Sequence, residues 1–338
     1  MIDMRAFRIT EWGTPPQVVD VPVPQPGPGQ VLVKVAGCGL CHTDISLPHM
    51  PAALGKRLGW RAPFTLGHEA AGWVAGLGDG VTGFAEGDAV ALVSPNSCGQ
   101  CWHCQRGLDS ACPNGLAGRG YGRDGGLAEY VLVDGKRFLI PLESLDPVTA
   151  GPLTDAGATS YHAVRRALPR IYPGGTVAVT GVGGLGSFAV QFLRLLTAAR
   201  ILAVDTNPAR LAAATSLGAD ATASSLDGIR GADAVLDFVG TDDTIAAGLA
   251  AVRPGGAFGL VGAAGGRMEA PLLRALPKDG EVFSFQGSSI TDLHDVIALA
   301  AAGALRNDVQ RFAFDDVEDA YSRLSAGTLD SPRALIVF

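Results

Sequence analysis

Six cysteines and a few histidines carry the residue types that can bind a metal ion. Four of the cysteines are clustered at Cys98, Cys101, Cys104 and Cys112. Cys41, His42 and His68 form a second, sparser set upstream. A closed zinc site takes four thiolates or imidazoles, whereas a catalytic zinc site keeps three protein ligands and one open position. The spacing therefore predicts a structural zinc site in the cysteine cluster and a catalytic zinc site upstream.

The upstream segment also permits other interpretations. Cys38, Cys41 and His42 spell CxxCH, the pattern of c-type haem attachment, and CxxC alone is typical of a redox pair. Haem attachment normally needs export, and Met1 to Thr10 lacks the apolar segment of a signal peptide. A redox pair is expected at a helix N-terminus in a βαβ context, whereas this segment follows a β-type run. We therefore favour zinc and predict that Cys38 is a small buried residue.

A glycine-rich segment, GVGGLG, follows the apolar run Thr176 to Thr180 and precedes a helical pattern. In a dinucleotide-binding fold, Gly181 would permit the tight turn, Gly183 would let the backbone approach a pyrophosphate, and Gly186 would let helix and strand pack closely. Asp205 ends the next predicted strand, where a carboxylate accepts hydrogen bonds from the adenosine ribose. Because that carboxylate would repel a 2′-phosphate, the sequence predicts NAD rather than NADP.

The predicted elements that position these residues change type along the chain. Short β-type runs with Gly and Pro between them predict an all-β unit in the first part. From about Asp155, strands alternate with helices, which predicts a parallel sheet. The end returns to mixed elements, from a strand near Val282 to Phe285 to a closing strand at Ala334 to Phe338. This tail either extends the parallel sheet or folds back on the N-terminal unit.

Length and composition favour a two-domain globular protein with a small-molecule partner. The chain has 338 residues, 47% hydrophobic and 17% charged, which is enough apolar material for two cores. With a net charge of −7 and no basic run, we expect neither a nucleic-acid nor a membrane partner. No stretch approaches the length of a membrane span, and six cysteines without a disulfide framework fit reducing conditions. We therefore expect a soluble, cytoplasmic protein.

The segments CHTD from Cys41 and GHEAAG from Gly67, the spaced cysteines and GVGGLG occur in one order along the chain. Together they resemble the zinc-dependent medium-chain alcohol dehydrogenases, over essentially the whole chain. The resemblance implies an α/β fold with a GroES-like, β-rich catalytic domain and a Rossmann cofactor domain. The GroES-like domain would span 1–150 and 286–338, with a structural zinc lobe at about 94–115, and the Rossmann domain would span 151–285.

By the same resemblance, Cys41, His68 and Asp155 are the catalytic zinc ligands. Many family members have Cys where this chain has Asp155, which is similar to bacterial secondary alcohol dehydrogenases and phenylacetaldehyde reductases that use an Asp ligand. A role of Asp155 as a helix N-cap is the alternative. Thr43 would take the alcohol proton. Family members often place a His at the outer end of that relay, where this chain has Ser46, so water or His42 takes over.

Further contacts follow from the resemblance. Asp44 and Glu69 would lie behind the metal and orient its ligands. The predicted cofactor contacts beyond Gly181, Gly183, Gly186 and Asp205 are His42, Thr159, Gly184, Leu185, Arg210, Val239 and Val261. The residues predicted to line the substrate pocket are Trp60, Leu116, Tyr121, Phe285 and Gln286.

The function implied is that of an NAD-dependent zinc alcohol dehydrogenase with two zinc ions per subunit. It would act on secondary alcohols and ketones or on aryl aldehydes, as a homodimer or homotetramer. Two alternatives stay open. One is a polyol or diol dehydrogenase of the same family, and the other is a non-catalytic protein that binds NAD and uses zinc only structurally.

Overall fold

The computed structural model describes residues 2–268 and 278–338. The chain divides into two compact units, one formed by Met1–Asp155 with Ser288–Phe338 and the other by Ala156–Gly287. In the described parts of the chain, no helix is long and apolar enough to cross a membrane.

The first unit is built mainly from strands. They are β1 (Asp3–Ile9), β2 (Gln17–Pro22), β3 (Val31–Gly39), β4 (Phe64–Thr65), β5 (Glu69–Leu77), β6 (Ala89–Leu92), β7 (Gly118–Arg119), β8 (Gly122–Arg123), β9 (Tyr130–Val133), β10 (Leu139–Pro141), β17 (Val309–Ala313) and β18 (Arg333–Val337). The largest sheet has seven strands in the order β10-β6-β5-β3-β18-β17, with β9 also paired to β3. A three-stranded sheet, β2-β1-β4, and the short β7-β8 pair complete it.

The tail strands answer the question that the sequence left open. Strand β18 pairs with β3 in antiparallel register, Ile336 opposite Cys38, and β17 pairs with β18. The tail therefore does both: its first strand, β16 (Glu281–Ser284), extends the parallel sheet, and its later elements fold back on the N-terminal unit. The first part of the chain is not all-β as predicted, because it also contains the helices α1 (His42–Ser46), α2 (Ala52–Arg57) and α3 (Pro147–Ala150). The tail adds α8 (Ile290–Ala301) and α9 (Val317–Ala326), which agree with the mixed elements predicted there.

The second unit is a sheet with helices between its strands. Its elements are α4 (Ala156–Ala167), β11 (Thr176–Thr180), α5 (Gly186–Leu196), β12 (Arg200–Val204), α6 (Pro208–Ser216), β13 (Ala221–Ala223), β14 (Ala232–Asp237), α7 (Asp242–Ala251), β15 (Val252–Leu260) and β16 (Glu281–Ser284). The six strands are parallel, in the order β13-β12-β11-β14-β15-β16. This is the doubly wound order of a dinucleotide-binding domain, in which the strand order reverses between β11 and β14.

Local sequence explains where these helices begin. Asn207 caps α6 by accepting from the Ala209 N–H at 2.9 Å, and Pro208 occupies the first helical position. Thr241 and Thr244 form a reciprocal capping box at the start of α7. Strand β14 is buried at every position, as expected for a parallel strand covered on both faces.

Short 3₁₀ turns link several of these elements. They span Leu47–His49, Cys104–Arg106, Asp109–Ala111, Lys136–Phe138, Gly151–Thr154, Leu168–Arg170 and Phe314–Asp316. Two of them lie within the cysteine cluster, and Gly151–Thr154 leads directly to Asp155. These three turns therefore belong to the segments that carry candidate metal ligands.

Candidate active site

The four clustered cysteines converge on one point. Their sulfur atoms all lie within 4.8 Å of one another. The Cys101 Sγ is 3.5 Å from the Cys104 Sγ and 3.9 Å from the Cys112 Sγ. Four sulfurs at about 2.3 Å from a zinc ion would be roughly 3.8 Å apart at tetrahedral angles. The donor set and its spacing therefore fit a closed tetrahedral zinc site.

The cysteines of this cluster differ in thiol pKa, and burial raises that of Cys104 to about 12. The Asn114 side chain and the Gln100 backbone lower the pKa of the Cys98 thiol to about 6. The segment is fastened to the rest of its unit by Arg137, whose guanidinium donates to the Ser97 carbonyl at 2.6 Å and to Asp109 at 3.0 Å. These contacts support a structural role for the site.

The second candidate metal site brings together residues far apart in the sequence. Cys41, His68, Glu69 and Asp155 each offer a ligand atom, and these atoms lie within 4.8 Å of one another. The His68 Nε2 is 3.6 Å from an oxygen of Asp155. Nitrogen and oxygen ligands at about 2.0–2.2 Å from zinc would be roughly 3.4 Å apart. A thiolate, an imidazole and a carboxylate therefore fit a zinc site with an open position.

Strand pairing and close backbone packing position these candidate ligands. Cys41 follows β3 and His68 precedes β5, and the antiparallel register sets Gly39 opposite Glu69. Asp155 arrives on the turn Gly151–Thr154, which approaches β5 so closely that a Cβ at Gly151 would lie 2.3 Å from the Glu69 carbonyl oxygen. Gly39 likewise leaves the space that the Glu69 side chain fills. Both glycines are therefore required by packing.

Asp44 holds the His68 imidazole in a fixed orientation. Its Oδ1 is 3.1 Å from the His68 Nδ1, and its Oδ2 accepts from the Cys41 N–H at 3.1 Å. This leaves the Nε2 to face Asp155 and a metal ion. Although burial lowers the pKa of His68, the charge of Asp44 and hydrogen bonds to Asp155 and Asp44 together raise it well above its ordinary value. A carboxylate–histidine pair of this kind is the usual support of a zinc ligand.

Glu69 has a partner that the sequence analysis did not anticipate. The Arg333 guanidinium forms a buried ion pair with Glu69, which itself is fully buried. Burial raises the pKa of Glu69, and the Arg333 charge opposes that shift. The other oxygen of Glu69, Oε1, has no hydrogen-bond partner in the described parts of the chain. The only local signal was a cation, Arg333, at the start of an otherwise apolar closing strand.

The predicted proton-transfer residues lie at the exposed side of the same site. The Thr43 hydroxyl is 3.5 Å from the Cys41 sulfur. Thr43 and His42 are exposed, and the Ser46 hydroxyl donates to the Thr43 carbonyl at 2.9 Å. Since its proton is used in that bond, Ser46 is not arranged to replace the relay histidine by donating onward.

Two of the predicted pocket residues form an aromatic wall beside His68. Tyr121 meets the His68 ring edge-on at 6.1 Å between centroids, and Trp60 lies 5.7 Å from Tyr121. The Trp60 indole donates to the Leu116 carbonyl at 2.8 Å. The Leu116 side chain itself is exposed. A Cβ at Gly122 would lie 2.6 Å from Trp60, so this glycine is needed for the wall.

The glycine-rich segment in the second unit has the geometry that its predicted role requires. Gly181 has a φ of +80°, and a Cβ there would lie 2.6 Å from Val239. A Cβ at Gly186 would lie 2.1 Å from the Gly181 carbonyl oxygen, which shows the close packing of strand and helix. Among the described residues other than its chain neighbours, a Cβ at Gly183 would have only the Arg210 guanidinium within 4 Å, at 3.8 Å. The backbone there is therefore open to a ligand, and Gly184 and Leu185 lead directly into α5.

Asp205 lies at the end of β12, beside this segment. Its Oδ2 accepts from the Val182 N–H at 3.0 Å, and its Oδ1 accepts from the Asn207 N–H at 2.9 Å. The Arg210 guanidinium is 3.8 Å from the Oδ2. The carboxylate is thus held in a fixed orientation and keeps lone pairs for a ribose hydroxyl.

The remaining predicted contacts lie in the second unit. Thr159 is buried on α4, and Val239 and Val261 follow the carboxyl ends of β14 and β15. Phe285 packs against the buried His162 ring at 4.5 Å, while Gln286 is exposed. Cys38, by contrast, has no exposed surface and burial raises the pKa of its thiol, which confirms the prediction of a small buried residue.

Comparison with known proteins agrees with this geometry. Residues 27–144 match the alcohol dehydrogenase GroES-like domain, and residues 184–302 match the zinc-binding dehydrogenase family. An NAD-dependent alcohol dehydrogenase of Sulfurisphaera tokodaii is 36% identical over 90% of this chain and 91% of its own length. A D-arabinose 1-dehydrogenase (NADP⁺) of Saccharolobus solfataricus is 31% identical over 99% of this chain and 98% of its own.

One similar solved structure contains NAD. The acetophenone reductase of Geotrichum candidum in complex with NAD superposes with a TM-score of 0.89 at 28% identity, covering 99% of this chain and 97% of that one.

The chain belongs to the zinc-binding alcohol dehydrogenase family. The predicted fold class is confirmed, a GroES-like domain with a Rossmann-type domain, and so is the enzyme class, an NAD-dependent zinc alcohol dehydrogenase with a small-molecule substrate. NAD and zinc as cofactors are confirmed with it. This result is against the alternative of a non-catalytic zinc protein.

Proposed function

We propose that the enzyme transfers a hydride between NAD(H) and a secondary alcohol or ketone, or an aryl aldehyde, with zinc held by Cys41, His68 and Asp155. The observation that carries the proposal is the convergence of these three ligand atoms within 4.8 Å, with the Nδ1 of His68 bound to Asp44 at 3.1 Å. A second ion in the cysteine cluster would only stabilise the fold.

Charge balance supports Asp155 as the third ligand. A Cys41 thiolate and an Asp155 carboxylate together neutralise a divalent ion, and His68 completes the set without adding charge. Because its Nδ1 faces the Asp44 carboxylate, the His68 imidazole presents an unprotonated Nε2 to a metal. Glu69, paired with Arg333, lies behind these ligands as a counter-charge.

Zinc held by Cys41, His68 and Asp155 would supply Lewis-acid polarisation of the substrate oxygen, and bound NAD(H) would supply the hydride chemistry. The chain's own residues handle the proton. The Thr43 hydroxyl, 3.5 Å from the Cys41 sulfur, lies at the ligand set and accepts the alcohol proton during oxidation. Because Ser46 donates to the Thr43 carbonyl, the proton passes on to water or to the exposed His42.

The preference for NAD over NADP rests on Asp205. Its carboxylate is held by two backbone N–H groups beside the glycine-rich segment. There it accepts a hydrogen bond from a ribose hydroxyl and repels a 2′-phosphate. The open position at Gly183 and the start of α5 just after Leu185 support a pyrophosphate site at Gly183, Gly184 and Leu185.

The aromatic wall of Trp60 and Tyr121 supports an apolar substrate. Aromatic side chains packed in tilted and edge-on contacts beside His68 favour an aryl or alkyl group over a hydroxylated chain. The acetophenone reductase among the structural neighbours is consistent with this choice. The D-arabinose dehydrogenase among the relatives keeps a polyol or sugar substrate as the second candidate.

Domain boundaries, assembly and location complete the proposal. We place the GroES-like domain at 1–150 with 286–338 and the Rossmann domain at 151–285. Family resemblance supports a homodimer or homotetramer, which light scattering coupled to size exclusion would distinguish. The six free cysteines are compatible with a reducing cytoplasm.

The test is a panel of substrates assayed at the absorbance of reduced nicotinamide. Acetophenone, 1-phenylethanol, 2-butanol and phenylacetaldehyde should be turned over with NAD(H) at a higher kcat/KM than D-arabinose or glycerol. Thr43→Val should lower kcat by about 10²- to 10⁴-fold, the usual contribution of a proton-transfer group, and Thr43→Ser should restore most of it. Preference for the polyols would reject the apolar pocket, and an unaffected kcat in Thr43→Val would reject the proton relay.

A further inference from the structure

Asp237 lies at a point of the second unit where the cofactor loops begin. It is the last residue of β14 and has no exposed surface. Strand β14 lies next to β11 at the point where the strand order reverses. Ligands of doubly wound folds bind outside the carboxyl ends of the strands at this point. A buried carboxylate here requires a reason, because its desolvation is costly.

The backbone hydrogen bonds of Asp237 supply that reason. Its Oδ1 accepts from the N–H groups of Val239 at 2.8 Å and Gly240 at 3.1 Å. Its carbonyl oxygen accepts from the N–H groups of Val261 and Gly262, both at 2.9 Å. One residue therefore fixes the first turn of the loop after β14 and the first turn of the loop after β15.

Packing links these two loops to the glycine-rich segment. A Cβ at Gly262 would lie 2.3 Å from the carbonyl carbon of Val239, and a Cβ at Gly240 would lie 2.3 Å from the Gly262 oxygen. A Cβ at Gly181 would lie 2.6 Å from a Val239 methyl group. The backbones of the two loops meet without side chains between them, and the Val239 side chain packs on Gly181, so a shift of Val239 is transmitted to Gly181.

A second buried polar atom stands next to Asp237. Thr180, the last residue of β11, is the register partner of Asp237. The Thr180 Oγ1 and the Asp237 Oδ2 are both buried and without a hydrogen-bond partner among the residues that the structure describes. Directly paired residues of neighbouring strands present their side chains on the same face of a sheet. No hydrogen bond joins these two atoms in the structure, although the Thr180 hydroxyl is a donor on the same face of the sheet as the remaining oxygen.

We propose that Asp237 is a positioning residue for the nicotinamide half of the cofactor, and that Thr180 supports its carboxylate. The inference rests on the proposed function and on the predicted contacts of Val239 and Val261 with NAD. Asp237 is fully buried and acts through the two loops rather than by touching the cofactor. Removing its side chain would loosen the surface against which the nicotinamide lies and leave both zinc sites intact.

The experiment compares Asp237→Ala, Asp237→Asn and Thr180→Val with the exposed control Asp243→Ala. Equilibrium binding of NADH is measured by fluorescence, zinc content by elemental analysis, and amide exchange of residues 238–241 and 261–263 by mass spectrometry without cofactor. Asp237→Ala should raise the Kd of NADH by about ten- to a hundredfold, because two charge-assisted hydrogen bonds are lost. Thr180→Val should raise it by about two- to tenfold.

Asparagine keeps an acceptor oxygen for both N–H groups, so Asp237→Asn should bind NADH within about threefold of the wild type. Amide exchange of residues 238–241 and 261–263 should be faster than in the wild type only in Asp237→Ala. The zinc content should be unchanged in every variant. A wild-type Kd in Asp237→Ala, or equal losses in the Ala and Asn variants, would overturn the inference and leave the proposed function standing. If Asp237→Ala does not fold, an unchanged Kd in Thr180→Val overturns it instead. A wild-type protein that fails to bind NADH overturns the proposed function itself, and this inference with it.

Discussion

The support of His68 by Asp44 leads to a quantitative prediction. Asp44 accepts two hydrogen bonds, one oxygen facing the His68 Nδ1 and the other facing the Cys41 N–H, both at 3.1 Å. In Asp44→Asn the amide offers a single acceptor oxygen, so its NH₂ group must face one of these donors. A hydrogen bond to a charged acceptor contributes about 1.5–3 kcal/mol, which corresponds to roughly 10- to 150-fold in an equilibrium constant.

We therefore expect Asp44→Asn to lower the zinc affinity of the catalytic site by about 10- to 100-fold, the range observed for outer partners of metal-bound histidines. The assay is competition with a chromogenic chelator, which resolves the two sites by their affinities. Zinc in the cysteine cluster should be unaffected. Added zinc should restore a large part of the lost activity.

Asp319→Asn is the matched control, since Asp319 is an exposed helical aspartate whose 2.8 Å ion pair with Arg323 contributes little. Its competition curve should match that of the wild type. If Asp44→Asn gave the same curve as well, His68 would not depend on Asp44. If the cysteine cluster weakened equally, the effect would be a general loss of structure. Either result would refute the reasoning.

Three further predictions follow from the same contacts. Asp205→Gly should lower the NAD to NADP ratio of kcat/KM by about tenfold or more, because a ribose acceptor and a repulsive charge are both removed, and an unaltered ratio would reject the ribose role. Cys104→Ser should lose the cluster zinc and lower the unfolding temperature while the catalytic zinc stays bound; a full complement of zinc in this variant would argue against the structural site. Although burial lowers the pKa of His68, Asp44 and Asp155 raise it well above its ordinary value and favour the protonated form of the metal-free imidazole, so zinc binding should release a proton and weaken as pH falls. Calorimetry in buffers of different ionisation enthalpy measures this release, and buffer-independent heats would contradict it.

The parallel sheet could be predicted from the sequence because its signals are local. The run Thr176 to Thr180 is both the predicted strand and the observed β11. The glycines of GVGGLG mark the turn that follows. Strand β13, Ala221–Ala223, gave no usable pattern because it is three residues long and partly exposed. Alternating exposure in β2, Gln17–Pro22, likewise leaves no continuous apolar run.

Pairings between distant segments could not be predicted. Strand β18 lies against β3, with Leu335 opposite Gly39, and nothing near either strand specifies that contact. The pairing of Glu69 with Arg333 depends on it, which is why Arg333 was missed. Asp155 entered the prediction only by family resemblance, because an isolated aspartate before a helix is more simply interpreted as a cap. Its place beside His68 depends on the close approach of Gly151 to β5.

The central claim is that two zinc sites exist and that Asp155 belongs to the one that does the chemistry. Elemental analysis of the purified wild type and Asp155→Ala tests it most directly, with the exposed Asp79→Ala as control. The two donor clusters predict two zinc ions per chain in the wild type and in Asp79→Ala, and one in a folded Asp155→Ala that has lost nearly all activity. Two ions per chain retained in Asp155→Ala would contradict the claim.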